Sequence, residues 1–277
     1  MKQPPPDSNV DLELSDRARA VGERVARLYE VMARLRAPGG CPWDRQQSLR
    51  TLRSYLLEET YELLEAIDGG EIEPHKEELG DLLFQAVFQA RIREEEGRFD
   101  LGDVADGIAD KLLHRHPHVF TNGARIDTPE EVRGVWEKLK QREKHGRSIL
   151  GGVPDELPAL LRAVRVGEKA AQVGFDWPDL EGVRAKVNEE LDELDEALAE
   201  GDGQHAEEEL GDLLFALAQY ARHLKLMPED ALRGTIRRFK ERFQGVERLA
   251  AERGQALTEM EMEQLEALWQ QAKRELS

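Results

Sequence analysis

The sequence predicts an all-α fold built from two similar helical domains. Ala, Leu, Glu, Arg and Gln dominate the 277 residues, whereas β-branched and aromatic residues are sparse, and this composition favours helices. Apolar residues make up 40% of the chain, which is enough to fill the cores of two domains. A third observation is that one long segment occurs twice, which indicates an internal duplication.

The repeat sets the domain boundaries. Residues 58–92 align without a gap to residues 189–223, and 17 of the 35 aligned pairs are identical. The segment between the copies is rich in Gly and Pro, as is typical of a linker. We predict a disordered tail over 1–17, an N-terminal domain over 18–145, a linker over 146–154 and a C-terminal domain over 155–277.

Each copy is predicted to form two helices joined by a turn that contains glycine. Because short connections favour antiparallel packing of neighbouring helices, we expect four-helix units, completed by a second subunit. The apolar spacing predicts helices over 49–67 and 76–94 in the first copy, 183–200 and 206–224 in the second, and 128–144 and 228–253 further along each domain.

The charge balance argues against two classes of partner. The formal net charge is −18 and the sequence pI is about 4.9, so the protein repels nucleic acid and anionic membranes. The first residues lack the apolar core of a signal peptide, and no apolar run approaches the roughly 20 residues that span a bilayer. Cys41 is the single cysteine, so no disulfide can form within the chain. We expect a cytoplasmic protein.

Both copies carry two pairs of carboxylates with a spacing of three residues. At 100° per residue, such a pair lies about 60° apart on a helix and can converge. Leucines lie beside the pairs, which places the acids at the border of the core. Carboxylates on facing helices repel one another, and a divalent cation relieves that repulsion. The candidate metal ligands are Glu190, Glu193, Glu209 and Asp212, and, at a second site, Glu59, Glu62, Glu78 and Asp81.

Magnesium is the predicted metal. Mg²⁺ prefers oxygen ligands and commonly shares its shell with substrate phosphates. A di-iron site would need Glu-x-x-His pairs, and Asp81 and Asp212 stand at the positions of those histidines. A single EExxE motif is typical of a solvated helix face, so the prediction depends on the joint occurrence and duplication of the pairs.

The combined motifs resemble a known family. EExxE followed by ELGDLLF occurs twice, with CPWD and HPHVF in the first half. The chain is similar to the MazG nucleoside triphosphate pyrophosphohydrolases of the all-α NTP pyrophosphatase superfamily, as two tandem four-helix-type MazG domains. The resemblance implies a homodimer, dependence on Mg²⁺ with Mn²⁺ as a substitute, and hydrolysis of nucleoside triphosphates to monophosphate and pyrophosphate. It also implies broad base tolerance and a house-cleaning role in nucleotide pools.

The resemblance further implies roles for single residues. Glu190 and Glu193 would act in catalysis as metal ligands. Independently of the resemblance, the position of Glu189 next to these ligands makes it a candidate to orient the attacking water, with a surface carboxylate as the alternative. The residues that would hold the nucleotide are Lys186, Arg238, Arg242, Trp269 and Lys273.

The C-terminal copy is predicted to be the main catalytic one. The position equivalent to Lys186 is Tyr55, so the first copy lacks a phosphate-binding cation. Lys111 and Arg115 can serve as its basic pair, while Trp136 and Lys140 align with Trp269 and Lys273. His114, His116 and His118 are expected to pack or cap rather than to bind metal.

Two alternatives stay open. One is a narrower enzyme, a dUTP or phosphoribosyl-ATP pyrophosphohydrolase, which substrate profiling would separate. The other is a non-catalytic helical dimer that binds nucleotide or metal for regulation. Release of pyrophosphate with magnesium, absent in EDTA, would exclude the second.

Overall fold

The structure is a computed structural model that describes residues 12–120, 128–129, 131–132, 134–135 and 148–276. Within these ranges the regular elements are helices and there is no strand, which confirms the all-α prediction. The chain divides into two compact units, residues 1–145 and 146–277. Of the helices described, none has the length and apolarity that a bilayer crossing needs.

The N-terminal unit is organised around a helical hairpin. Its helices are α1 (Asp16–Arg36), α2 (Pro42–Gln46), α3 (Leu52–Gly69), α4 (Ile72–Glu95), α5 (Leu101–Arg115) and α6 (Pro117–Phe120). α3 and α4 pack along each other, and α1 covers α4. Gly70 ends α3 with φ of 74°, a left-handed conformation that favours glycine. The core of the unit consists of Met32, Leu52, Val87, Phe88 and Ile92.

The C-terminal unit repeats the hairpin. Its helices are α7 (Ala159–Ala171), α8 (Leu180–Glu200), α9 (Gly203–His223), α10 (Pro228–Glu252) and α11 (Met262–Glu275), with a 3₁₀ turn over Leu257–Glu259. α8 and α9 form the hairpin, and α7 packs on α9. A second core joins α10 to α11 through Val246, Leu249, Ala250, Leu268 and Ala272.

In the second copy, both hairpin helices begin earlier than the apolar spacing predicts. Asp179 accepts a hydrogen bond from the Gly182 amide, and Asp202 accepts from the amides of Gln204 and His205. These caps start α8 and α9 about one turn before the predicted starts at residues 183 and 206. The predicted helix over 128–144 falls largely outside the described residues, as do Trp136 and Lys140.

In each unit, an ion pair connects the segment before the helical hairpin to the end of the hairpin's second helix. In the C-terminal unit, Arg222 and His223 at the end of α9 bind Asp176, in the loop before α8. In the N-terminal unit, Arg36 pairs with Glu95 at the end of α4 and donates to the carbonyl of Asp44, in the short helix α2 before α3. These contacts hold the segment before each hairpin against the end of the second hairpin helix.

Replacing Asp176 by Asn is expected to destabilise the C-terminal unit by about 1–2 kcal/mol at neutral pH. Hydrogen bonds from Arg222 lower the pKa of Asp176 from 3.8 to about 2. The folded pKa lies below the unfolded one, so this stabilisation is present above about pH 4 and is lost as the pH falls towards 2. Urea unfolding between pH 7 and pH 3 measures it. The Asn variant should lose less stability than wild type over the acid range, and identical acid profiles would contradict the assignment.

Candidate active site

The α8–α9 hairpin gathers three carboxylates. Glu190 and Glu193 of α8 and Glu209 of α9 each offer one oxygen, and these oxygens lie within 4.8 Å of one another. Two residues, Gly201 and Asp202, separate α8 from α9, so the two helices pack along each other and their acidic faces meet. Glu190 is only 4% exposed, although burial of a carboxylate requires a compensating charge.

Lys186 supplies that charge in the structure. Its Nζ atom lies 2.6 Å from Oε1 of Glu190 and 2.7 Å from Oε1 of Glu189. Hydrogen bonds to Glu189 and Glu190 raise the pKa of Lys186. The pKa of Glu193 is also raised, first by burial and then by the charge of Glu190, with Lys186 acting in the opposite direction.

The other predicted residues of this half lie at the edge of the group. Asp212 is exposed and is not a member of the group of three. Glu189 is 55% exposed at its side chain and binds Lys186. The sequence reasoning missed His205, whose Nε2 atom lies 3.1 Å from Oε1 of Glu209. The available signal was its position four residues before Glu209 on the same helix.

The N-terminal hairpin forms a similar group without a lysine. Glu59, Glu78 and Asp81 bring one oxygen each within 4.8 Å, and Glu62 is not a member. The pKa of Glu59 is raised by burial and then by the charges of Asp81, Glu62 and Glu78. The pKa of Glu78 is raised by burial and then by Glu62 and Asp81. Tyr55 stands at the position of the lysine. Its ring packs nearly perpendicular to that of Trp43, with the two ring centres 5.7 Å apart.

The basic and aromatic residues predicted to bind nucleotide lie on α10 and α11. Arg242 stands 6.0 Å from the ring centre of Trp269, and Arg238 donates to Oγ1 of Thr235. Phe239, between the two arginines and 55% exposed, packs against Trp269 at 5.1 Å. Lys273 is exposed in the last turn of α11. The structure thus brings Arg242 and Trp269 together and adds an aromatic residue that sequence reasoning did not single out.

The histidines near residue 116 lie at the C-terminal end of α5. Nδ1 of His116 lies 2.7 Å from the Leu112 carbonyl, and the rings of His116 and His118 are 5.7 Å apart. No group of three metal-binding side chains includes a histidine among the residues described. Lys111 is exposed on α5, whereas Arg115 is buried.

The donor set of the C-terminal group fits a hard divalent cation. Three carboxylates from two helices converge, which matches the all-oxygen ligand preference of Mg²⁺. The ammonium of Lys186 compensates part of the negative charge of this group, at Glu190. Two or three protein carboxylates also leave coordination positions open for water or phosphate oxygens.

The chain is similar to known proteins over most of its length. The model of the MazG nucleotide pyrophosphohydrolase domain matches the chain twice, over residues 47–120 and 179–246. The chain is 45% identical over 258 residues to a nucleoside triphosphate pyrophosphohydrolase of Escherichia coli K12, covering 91% of this chain and 98% of the relative. It is 46% identical over 248 residues to the nucleoside triphosphate pyrophosphohydrolase/pyrophosphatase MazG of Thermotoga maritima, covering 89% of this chain and 94% of that relative. The two family-model matches cover the two hairpins that carry the acidic groups.

Proposed function

The chain belongs to the MazG nucleotide pyrophosphohydrolase family and is an enzyme that hydrolyses nucleoside triphosphates to monophosphate and pyrophosphate, and we propose that this reaction takes place on the α8–α9 hairpin with Mg²⁺. The observation that carries the proposal is the convergence of Glu190, Glu193 and Glu209. These residues would hold the metal, together with Asp212 from the next turn of α9. The N-terminal group would hold metal as a second, subordinate site.

The roles of the residues follow from their charge and position. Bound Mg²⁺, for which Mn²⁺ can substitute, would neutralise the oxygens of the triphosphate and stabilise the charge that develops as the bond breaks. Lys186, Arg238 and Arg242 would bind phosphate oxygens, as charge-assisted donors. Glu189, exposed next to the group, would orient the water that attacks the α-phosphorus. Lys273 would add a further cation at the phosphates.

Base recognition is proposed to rest on stacking. Trp269 of α11 and Phe239 of α10 pack against each other, and stacking on an aromatic ring accepts every base. This supports broad base tolerance, and with it a house-cleaning role for the enzyme. We place that role in the cytoplasm, where nucleoside triphosphates are made and used, and the strong negative charge argues against a nucleic-acid partner.

Product analysis tests the proposed reaction. The enzyme is incubated with Mg²⁺ and a panel of purine, pyrimidine and deoxyuridine triphosphates, and with phosphoribosyl-ATP, and phosphorus NMR follows the products. We expect pyrophosphate and the monophosphate from several bases, and no product in excess EDTA. Cleavage of dUTP alone or of phosphoribosyl-ATP alone would identify a narrower enzyme, and release of orthophosphate would contradict attack at the α-phosphorus.

A homodimer is proposed from the uncovered faces of the hairpin. Along α9, Leu210, Leu214 and Leu217 are 46%, 47% and 43% exposed. Their spacing of four and three residues is that of a helix that packs against another helix. Leu191 and Leu198 of α8 add 46% and 61% exposed side chains. A second copy that covers this face would complete a four-helix bundle, and sedimentation equilibrium of wild type and Leu214→Glu measures the association.

A further inference from the structure

We propose that Lys186 competes with the divalent metal for Glu190, so that the C-terminal group binds metal weakly until the phosphates of a substrate draw the lysine away. The inference rests on the proposed function, because it concerns the metal of the same site. As a consequence, the C-terminal group binds metal together with nucleotide, whereas the N-terminal group binds metal in the absence of nucleotide.

Lys186 contacts a carboxylate that would also have to bind the metal. Its Nζ atom lies 2.6 Å from Oε1 of Glu190, and Glu190 offers a ligand atom to the group of three carboxylates. Because Glu190 is only 4% exposed, its oxygens have little room to turn towards a second partner. A divalent ion bound to Glu190 would therefore lie within a few ångströms of the ammonium and would be repelled by it.

The side chain of Lys186 can leave Glu190 when another anion is available to bind it. It is 34% exposed, and its four-carbon stem carries a single mobile charge. Its second partner, Glu189, is 55% exposed, so that contact contributes little energy. A triphosphate, with several oxygens and a high negative charge, offers stronger charge-assisted hydrogen bonds than one surface carboxylate.

The N-terminal half supplies the comparison within the same chain. Glu59, Glu78 and Asp81 form a group of the same size, and Tyr55 stands at the position of the lysine. Tyr55 has no positive charge with which to compete with a metal for these carboxylates. In the absence of nucleotide, the N-terminal group should therefore bind a divalent ion more tightly than the C-terminal group.

Mn²⁺ binding to the full chain, counted by electron paramagnetic resonance without nucleotide, tests the inference. The N-terminal group is first removed by Glu59→Gln with Asp81→Asn, so that the remaining tight binding reports the C-terminal group. In this background Lys186→Met should tighten Mn²⁺ binding about tenfold or more, as removal of a nearby positive charge requires. Lys186→Arg should keep the wild-type affinity. Arg165→Met, which removes a charge paired with Glu168 on α7, is the matched control and should change nothing.

A reciprocal variant keeps the test independent of the folding of Lys186→Met. With the C-terminal group removed by Glu190→Gln and Glu209→Gln, Tyr55→Lys should weaken Mn²⁺ binding to the N-terminal group about tenfold. Unchanged Mn²⁺ affinity in both Lys186→Met and Tyr55→Lys would overturn the competition and leave the proposed function standing. If the C-terminal group takes up no Mn²⁺ in any variant, with or without a triphosphate, the proposed function fails as well.

Discussion

Glu193→Ala is expected to abolish nucleoside triphosphate hydrolysis, while Glu62→Ala keeps most of it. Glu193 belongs to the group with Glu190 and Glu209, in the half that carries Lys186. Loss of a metal-binding carboxylate removes the cation that stabilises the developing charge, which costs on the order of 10³-fold in turnover. Glu62 is not a member of the N-terminal group, and that half lacks the lysine that we propose to bind phosphate.

The measurement is pyrophosphate release at saturating Mg²⁺ for the two variants and wild type. Glu196→Ala, which removes an exposed glutamate from the same helix three residues further on, is the matched control and should retain full activity. Thermal unfolding of each variant separates loss of chemistry from loss of structure. Equal loss of turnover in Glu193→Ala and Glu62→Ala would refute the assignment of catalysis to the C-terminal half.

Gly167→Ala is expected to destabilise the C-terminal unit by about 2–4 kcal/mol. A Cβ atom at this position of α7 would lie 1.8 Å from Oε1 and 2.6 Å from Cδ of Gln219. Gln219 has no exposed surface and cannot move away without loss of its bonds. Its amide donates to the Ala163 carbonyl, and its oxygen accepts from Arg222. A displaced Gln219 would leave these buried polar groups unpaired.

Urea unfolding followed by circular dichroism measures the effect. Gly203→Ala, in the first turn of α9, would meet no atom within 4 Å and should leave stability unchanged or slightly higher. The double variant Gly167→Ala with Gln219→Ala removes the clash as well as the buried amide, so it should be more stable than the sum of the two single effects predicts. Additive effects would show that the two side chains do not meet.

Much of the hairpin was predictable because helices leave a local signal. The apolar spacing predicted helices over 183–200 and 206–224, and the structure places α8 at Leu180–Glu200 and α9 at Gly203–His223. The differences arise mainly at the capped ends, where Asp179 and Asp202 bind backbone amides about one turn before the predicted starts. The bond between His205 and Glu209 was not predicted, although both lie on one helix, because an exposed i, i+4 pair has many rotamers.

The membership of the acidic groups was only partly predictable. A spacing of three residues fixes the angle between two side chains on one helix, about 60°. It does not fix how far each helix is rotated towards its neighbour. That rotation decides that Glu209 joins the group while Asp212 stays outside, and that Glu62 stays outside the N-terminal group.

The sequence by itself determined the all-α class, the duplication, the carboxylate-rich character of both hairpins and the family, because each of these depends on local periodicity and on motifs. Only the tertiary structure decided which three oxygens converge, that Lys186 lies on Glu190, and that Gln219 fits against Gly167. Those contacts join residues on different helices or depend on side-chain rotamers. They are therefore set by helix rotation, packing and the choice of rotamer, which no spacing along the chain specifies.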